Sequence, residues 1–146
     1  MSDLLLLACS ARKRDEPSTP IPAIERYDGV FFRVLRKWLR GTIKPNLDVL
    51  IVSAQFGLID CTTPIPDYDR RMTPGRALEL ASNVKADFRS FTAQRRYRRI
   101  FVNLGEDYRP AVGGVKDLDN AVWAEGAIGK RARQMKRWLE ESSECR

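Results

Sequence analysis

Asp67 and Asp69 place two carboxylates on either side of the phenol of Tyr68, in a loop that continues into Arg70 and Arg71. The chain has no histidine. The commonest general base is therefore missing, and a carboxylate becomes the natural acid, base or stabiliser of a developing cation. Glycosidic cleavage uses carboxylates in this way, because positive charge builds up on the sugar. Tyr68 would supply a ring for stacking on a base. The plainer reading of the same residues is a solvated turn with local Asp–Arg pairing.

Three further groups lie where short apolar runs give way to small polar residues. Leu4 to Ala8 ends in Cys9-Ser10, with Lys13 close behind. Cys9 and Ser10 are candidates for a nucleophile or a hydrogen-bonding cradle, and Lys13 would hold an anion or lower the thiol pKa. The alternative is a buried cysteine acting as a small hydrophobe. Val49 to Val52 ends in Ser53, Gln55 and Gly57. Gln55 offers both a donor and an acceptor, suited to the edge of a base, and Gly57 allows close backbone approach. Ile100 to Val102 ends in Asn103 and Gly105, followed by Tyr108 and Arg109. Asn103 would read a base, and Arg109 would clamp a phosphate. Gly129 and Lys130 open a basic C-terminal segment, where a helix start would favour a phosphate. The spacing is not that of a Walker loop, and no Ser or Thr follows Lys130.

These groups need elements to carry them. The pattern predicts strands at Leu4 to Ala8, Asp48 to Ser53 and Arg99 to Leu104. Helices are predicted at Tyr27 to Arg40, from Thr73 with Pro74 in its first turn, and from Lys130 to Glu140. Phe31, Val34, Leu35, Trp38 and Leu39 are expected to face the core, and Arg33, Arg36, Lys37 and Arg40 the solvent. Ala121 to Trp123 would add a short edge strand. The connection Ala11 to Arg26, with Pro17, Pro20 and Pro22, leaves the candidate site directly and reads as a lid. Asp60 to Met72 reads as a second long loop, and Ser142 to Arg146 as a fraying tail. The alternation of strand and helix predicts a three-layer α/β sandwich, a mostly parallel sheet with helices on both faces, in a single domain over 1–146. Ligands of such sheets sit beyond the carboxyl ends of the strands.

Composition narrows the partners. Lys and Arg total 26 against 19 acidic residues, a net charge of +7. That excess favours a polyanionic partner or serves solubility alone. The cations cluster at Arg36 to Arg40, at Arg70-Arg71, from Arg95 to Arg99 and from Lys130 to Arg137. The Arg95 to Arg99 block precedes a strand and would lie at the opposite edge from the site, as a solvated loop or a nucleic-acid contact. Three cysteines without Cys-x-x-Cys spacing give no zinc or redox pattern. No metal or cofactor is expected. No apolar run approaches a membrane span, so no membrane partner is expected and the location reads as cytoplasmic.

The segments ACSARK (8–13), VSAQFGLID (52–60) and DYDRRM (67–72) resemble a poorly characterised bacterial and phage family with Cys-Ser-x-x-Lys and Ser-Ala-x-x-Gly-Leu motifs. They are similar to a domain of the archaeosine synthases, which modify 7-deazaguanine in tRNA, and more distantly to YaaA-like proteins associated with DNA. The resemblance implies a fold related to uracil-DNA glycosylases. It also implies a site including Cys9, Ser10, Lys13, Ser53, Gly57, Tyr68, Asp69, Asn103 and Gly105. The resulting expectation is an enzyme acting on a modified base or an N-glycosidic bond, on a nucleotide or in nucleic acid. The alternative is a non-catalytic DNA- or RNA-binding protein.

Overall fold

A computed structural model describes residues 2–43 and 45–144. Its centre is β1 (Ser2–Ala8). Leu4, Leu5, Leu6 and Leu7 are all 0% exposed. Successive side chains on a strand point to opposite faces, so both faces of β1 are covered. The chain continues through β2 (Ile21–Pro22), α1 (Ala23–Arg26), α2 (Val30–Arg40), β3 (Leu47–Ser53), β4 (Gly57–Asp60), β5 (Pro64–Ile65) and α3 (Pro74–Thr92). Then come β6 (Tyr97–Asn103), a 3-10 turn, α4 (Arg109–Val112), a second 3-10 turn, β7 (Val122–Trp123) and α5 (Ile128–Glu144).

The main sheet has the order β4-β3-β1-β6-β7. β1 pairs in parallel with β3 and with β6, with Leu5 opposite both Val49 and Phe101. β7 is a parallel edge strand. The other edge departs from expectation. β4 folds back antiparallel on β3, where no strand is predicted, and the sheet is mixed though mostly parallel. Gly57 makes that hairpin possible: its φ of 74° lies in the left-handed region. β2 and β5 form a separate two-stranded ribbon. Helices surround the sheet, α2 packing with α5 and α3 with α4.

α3 starts as its sequence predicts: Thr73 caps it, its side chain accepting from the Arg76 N–H at 3.1 Å. Ala77, Leu80, Val84 and Phe88 form its buried stripe. α2 differs. It begins at Val30, because Ala23–Arg26 forms its own turn and Tyr27 is extended. Its buried residues are Phe32, Leu35 and Arg36, while Phe31, Val34 and Trp38 are only partly covered. Arg36 sits inside because its guanidinium donates to the Ile24 and Tyr27 carbonyls at 2.8 and 2.7 Å and to Asp28 at 2.5 Å. α5 starts earlier and runs later than predicted. Ser142 to Glu144 is helical, and the rest of the expected frayed tail lies outside the described residues.

Three of the four arginines in the Arg95 to Arg99 block, Arg95, Arg98 and Arg99, are committed to ion pairs at the amino edge of the sheet. Arg98 and Arg99 both reach the buried carboxylate of Asp3, at 3.2 and 2.9 Å. Arg95 and the Tyr97 hydroxyl share Asp48. Arg99 also stacks on Trp138, 4.4 Å from the ring centre.

The connection from Ala11 to Arg26 is strapped down rather than free to act as a lid. Arg26 is 0% exposed. Its guanidinium donates to the carbonyls of Ile65 (3.3 Å), Arg14 (2.7 Å) and Thr19 (2.8 Å). Arg12 and Arg14 add backbone hydrogen bonds with Asp28 and Arg26. A lysine has no planar fork to serve these acceptors together. Arg26→Lys should therefore cost about 3 kcal/mol, the scale of charged hydrogen bonds lost at a buried site. Urea unfolding of the two proteins checks this, with an unchanged midpoint as the contrary result.

Candidate functional site

Because β1, β3 and β6 are parallel, their carboxyl ends meet on one side of the sheet. The structure places Cys9, Ser53 and Asn103 there, as expected from the sequence, with burial at each. Two features are built on these positions, on either side of Cys9.

The first is a ring of hydroxyls. Tyr27 donates to Ser53 Oγ at 3.3 Å. Ser53 and Tyr68 oxygens are 3.0 Å apart, and Tyr68 and Tyr27 oxygens 2.5 Å apart. Each hydroxyl has one proton. With Tyr27 donating to Ser53, Ser53 donates to Tyr68 and Tyr68 donates to Tyr27, closing the ring. Ser53 Oγ also accepts from the backbone N–H of Gln55 and of Phe56, which fixes the β3–β4 hairpin. Tyr68 stands edge-on to Phe56, ring centres 5.2 Å apart, and Lys13 Nζ lies 4.5 Å from its ring centre. Lys13 therefore meets the site through the ring face and donates to the Ala11 carbonyl.

The second is a cavity of about 240 Å³. Its walls include Cys9, Ser10, Gly29, Phe31, Gly105 and Tyr108, with Ile128 and Arg131 from the start of α5. Gly29 is required by close approach: a Cβ there would stand 2.8 Å from the Ser10 Cβ. Ser10 Oγ accepts from the Gly29 N–H and donates to the Arg12 carbonyl. Tyr108 spans the two features. Its hydroxyl is 3.2 Å from the Cys9 Sγ and 3.2 Å from the Cys9 carbonyl. Cys9 Sγ also accepts from the Ala54 N–H at 3.4 Å.

Arg131 was grouped in the sequence with a basic face, yet it lines the cavity. It donates to Asn103 Oδ1 at 3.2 Å and lies 5.1 Å from the Phe31 ring centre. Among the described residues no carboxylate pairs with it. Burial, and then the like charge of Arg109, lower its pKa. Arg109 stacks over Trp123 at 5.0 Å. The sequence held a signal for Arg131: with Met135, Trp138 and Leu139 it lies on the inward stripe of α5.

The remaining expected residues are more dispersed. Asp67 and Asp69 are exposed and, among the described residues, have no hydrogen-bond or ion-pair partner. Gln55 is exposed and its side chain meets Arg70 at 3.5 Å, outside the cavity. Gly57 serves the hairpin. Asn103 is buried and presents its oxygen to Arg131 instead of to the cavity. Gly129 and Lys130 lie in the first turn of α5, exposed, while their neighbours Ile128 and Arg131 line the wall. Tyr27, which sequence periodicity assigned to a helix, and Gly29 are the residues sequence reasoning overlooked. Among the described residues no group of three or more His, Cys, Asp and Glu side chains is placed to hold a metal.

Burial raises the pKa of Tyr27 to about 12, against the opposing hydrogen bonds from Ser53 and Tyr68. Burial, then the proximity of Cys9, pushes Tyr68 and Tyr108 up as well. Burial and Asp48 raise Tyr97 to about 12. All four tyrosines of the chain are thus held neutral. A raised native pKa means that the unfolded chain loses its phenolic protons first. The associated stability is complete below about pH 10 and is lost as pH rises through about 12. Absorbance titration at 295 nm should show no phenolate step near pH 10. Tyrosinate should appear together with alkaline unfolding followed by circular dichroism. Ser53→Ala should cost about 1–3 kcal/mol by leaving two buried phenols and two backbone N–H groups short of a partner.

No functionally curated protein matches the chain. Among solved structures it is similar to AF0587, described as a protein of unknown function, with a TM-score of 0.54 and 19% identity. The match covers 94% of this chain and 44% of that one, so this chain spans less than half of that protein's length. At that identity the likeness concerns the fold. A family model described as a family of unknown function matches residues 4–141, and the chain belongs to that family, DUF6884.

Proposed function

We propose that the chain recognises a nucleobase at the strand-end cavity and acts on that base or on its N-glycosidic bond. The observation that carries the reading is a small, largely apolar cavity with an arginine at its wall and no carboxylate paired to that arginine among the described residues. At about 240 Å³ the cavity falls below the roughly 300–1,000 Å³ typical of drug-sized sites. It matches a single ring system, leaving the sugar and phosphate outside. Phe31 and Tyr108 offer ring surfaces, and Arg131, with Arg109 nearby, offers charge for the phosphate. The neutral phenol of Tyr108 is a donor or acceptor at the cavity wall, not a base. Asp69 or Asp67, beside Tyr68, is the proposed acid/base or cation-stabilising group.

The fold supports this placement. The helix pairs α2–α5 and α3–α4 are read as the two outer layers of a three-layer sandwich, and ligands of such sheets bind at the carboxyl ends of the strands. No helix among the described residues is long and apolar enough to cross a membrane. We place the activity in the cytoplasm.

Calorimetry with nucleoside monophosphates, including a 7-deazaguanine derivative, tests the reading. One of them should bind, and Arg131→Gln should weaken it at least about tenfold in a protein that circular dichroism shows to be folded. Absence of binding by every member of the set overturns the proposal. Chromatography for released or altered base tests the chemistry. Asp69→Asn should abolish turnover and retain binding. A wild-type protein that binds but converts nothing is the non-catalytic alternative.

A further inference from the structure

The cavity is one end of a longer feature. Phe31 of α2 lies against Arg131 of α5. Further along both helices, Val34, Lys37 and Trp38 border a groove with Lys136 and Glu140 of about 560 Å³. The contacts advance together in both sequences, so α2 and α5 run side by side in the same direction. The seam between them begins at the cavity and continues as the groove. Gly41 and Thr42 close its far end. α2 has 11 residues, which gives the seam a length of roughly 16 Å.

Charge on the two helices is predominantly positive, with Glu140 the one acidic residue that borders the groove. α2 contains no acidic residue, and α5 has none before Glu140. Lys37 and Lys136 border the groove, and Arg40, Lys130, Arg133 and Arg137 are exposed on the same two helices outside its lining. Among the described residues none of the six has an ion-pair partner. The amino edge of the sheet contrasts with this, since Arg95, Arg98 and Arg99 are matched to Asp48 and Asp3. Repulsion among unmatched cations is relieved by a polyanion. Val34 and the Trp38 indole add an apolar floor between the charges, the combination that takes stacked bases beside a tracked backbone. A base seated in the cavity has left its stack and its pairing partner. An acidic polypeptide would meet the charges equally well, but it gives no reason for a ring-sized cavity at the start of the track.

We propose that the ligand of this protein is a single-stranded polynucleotide, with one base in the strand-end cavity and the flanking nucleotides along the α2–α5 seam. This rests on the nucleobase reading of the cavity and specifies its substrate class as polymeric.

The test compares a single-stranded oligonucleotide of about eight residues with the mononucleotide of its preferred base. Fluorescence anisotropy and calorimetry supply the affinities at several salt concentrations. The oligonucleotide should bind at least about tenfold more tightly, with a steep salt dependence. Lys37→Glu combined with Lys136→Glu should remove that gain and flatten the salt slope by roughly two contacts. The same pair should leave mononucleotide affinity unchanged, which also shows that the variant is folded. A duplex of the same sequence should bind more weakly than the single strand. Equal affinity for mononucleotide and oligonucleotide overturns the seam proposal and leaves the nucleobase reading standing. Retention of the gain in the double variant, or equal binding of duplex or of polyglutamate, also overturns it. Failure of the mononucleotide and the oligonucleotide alike removes both readings.

Discussion

The guanidinium of Arg26 has no access to water and, among the described residues, no carboxylate against it, and this constraint organises the strand-end side of the molecule. An arginine stays charged in a protein, so burial leaves it dependent on carbonyl oxygens. Those oxygens come from Arg14, Thr19 and Ile65, stretches with no regular secondary structure to hold them together apart from the short β2–β5 ribbon. Gathering them about one cation places the next residue, Tyr27, with its side chain under the sheet end. Arg36 does the same one step later, accepted by the carbonyls of Ile24 and Tyr27. Two cations that composition alone would send to solvent therefore set the course of the chain between β1 and α2.

Tyr27 in turn completes the hydroxyl ring with Ser53 and Tyr68. A buried polar ring of this kind is stable only when every member is satisfied, and here each hydroxyl both donates and accepts. It joins segments far apart in sequence: the strapped connection, the end of β3 and the loop before α3. Tyr108 adds the region after β6 through Cys9. The polar atoms at the strand ends are thus mostly occupied with one another. The freer polar chemistry lies at the rim, with Arg131, Arg109 and the exposed carboxylates of Asp67 and Asp69.

Legibility from sequence followed the range of the interactions. The leucine run of β1, the Thr73-Pro74 helix start and the Ala77–Phe88 stripe were readable because each depends on local periodicity or capping. β4 was missed because Leu58 and Ile59 offer only two apolar residues, and their strand character comes from pairing with β3. Tyr27 and Arg36 were misassigned for the opposite reason. Helical spacing and polarity gave a clear local answer, and distant carbonyls overrode it. At the site, position relative to the strand ends was legible for Cys9, Ser53, Asn103 and Gly105. Side-chain direction was not, and so Asn103 turned out to support Arg131.

Much of the cavity wall is made of residues with almost no side chain: Ala8, Ala11, Gly29 and Gly105. Backbone forms those surfaces, and the Ser10–Gly29 contact has no room for an added methyl. Along those stretches evolution can hardly enlarge the wall by exchanging residues, because there is no side chain to shorten and enlargement moves main chain. The adjustable positions are those with side chains to exchange, such as Phe31 and Tyr108 and, open to solvent, Val30 and Ile128. A descendant adapting to a different ring would be expected to keep the backbone part of the chamber and retune the side chains beside it.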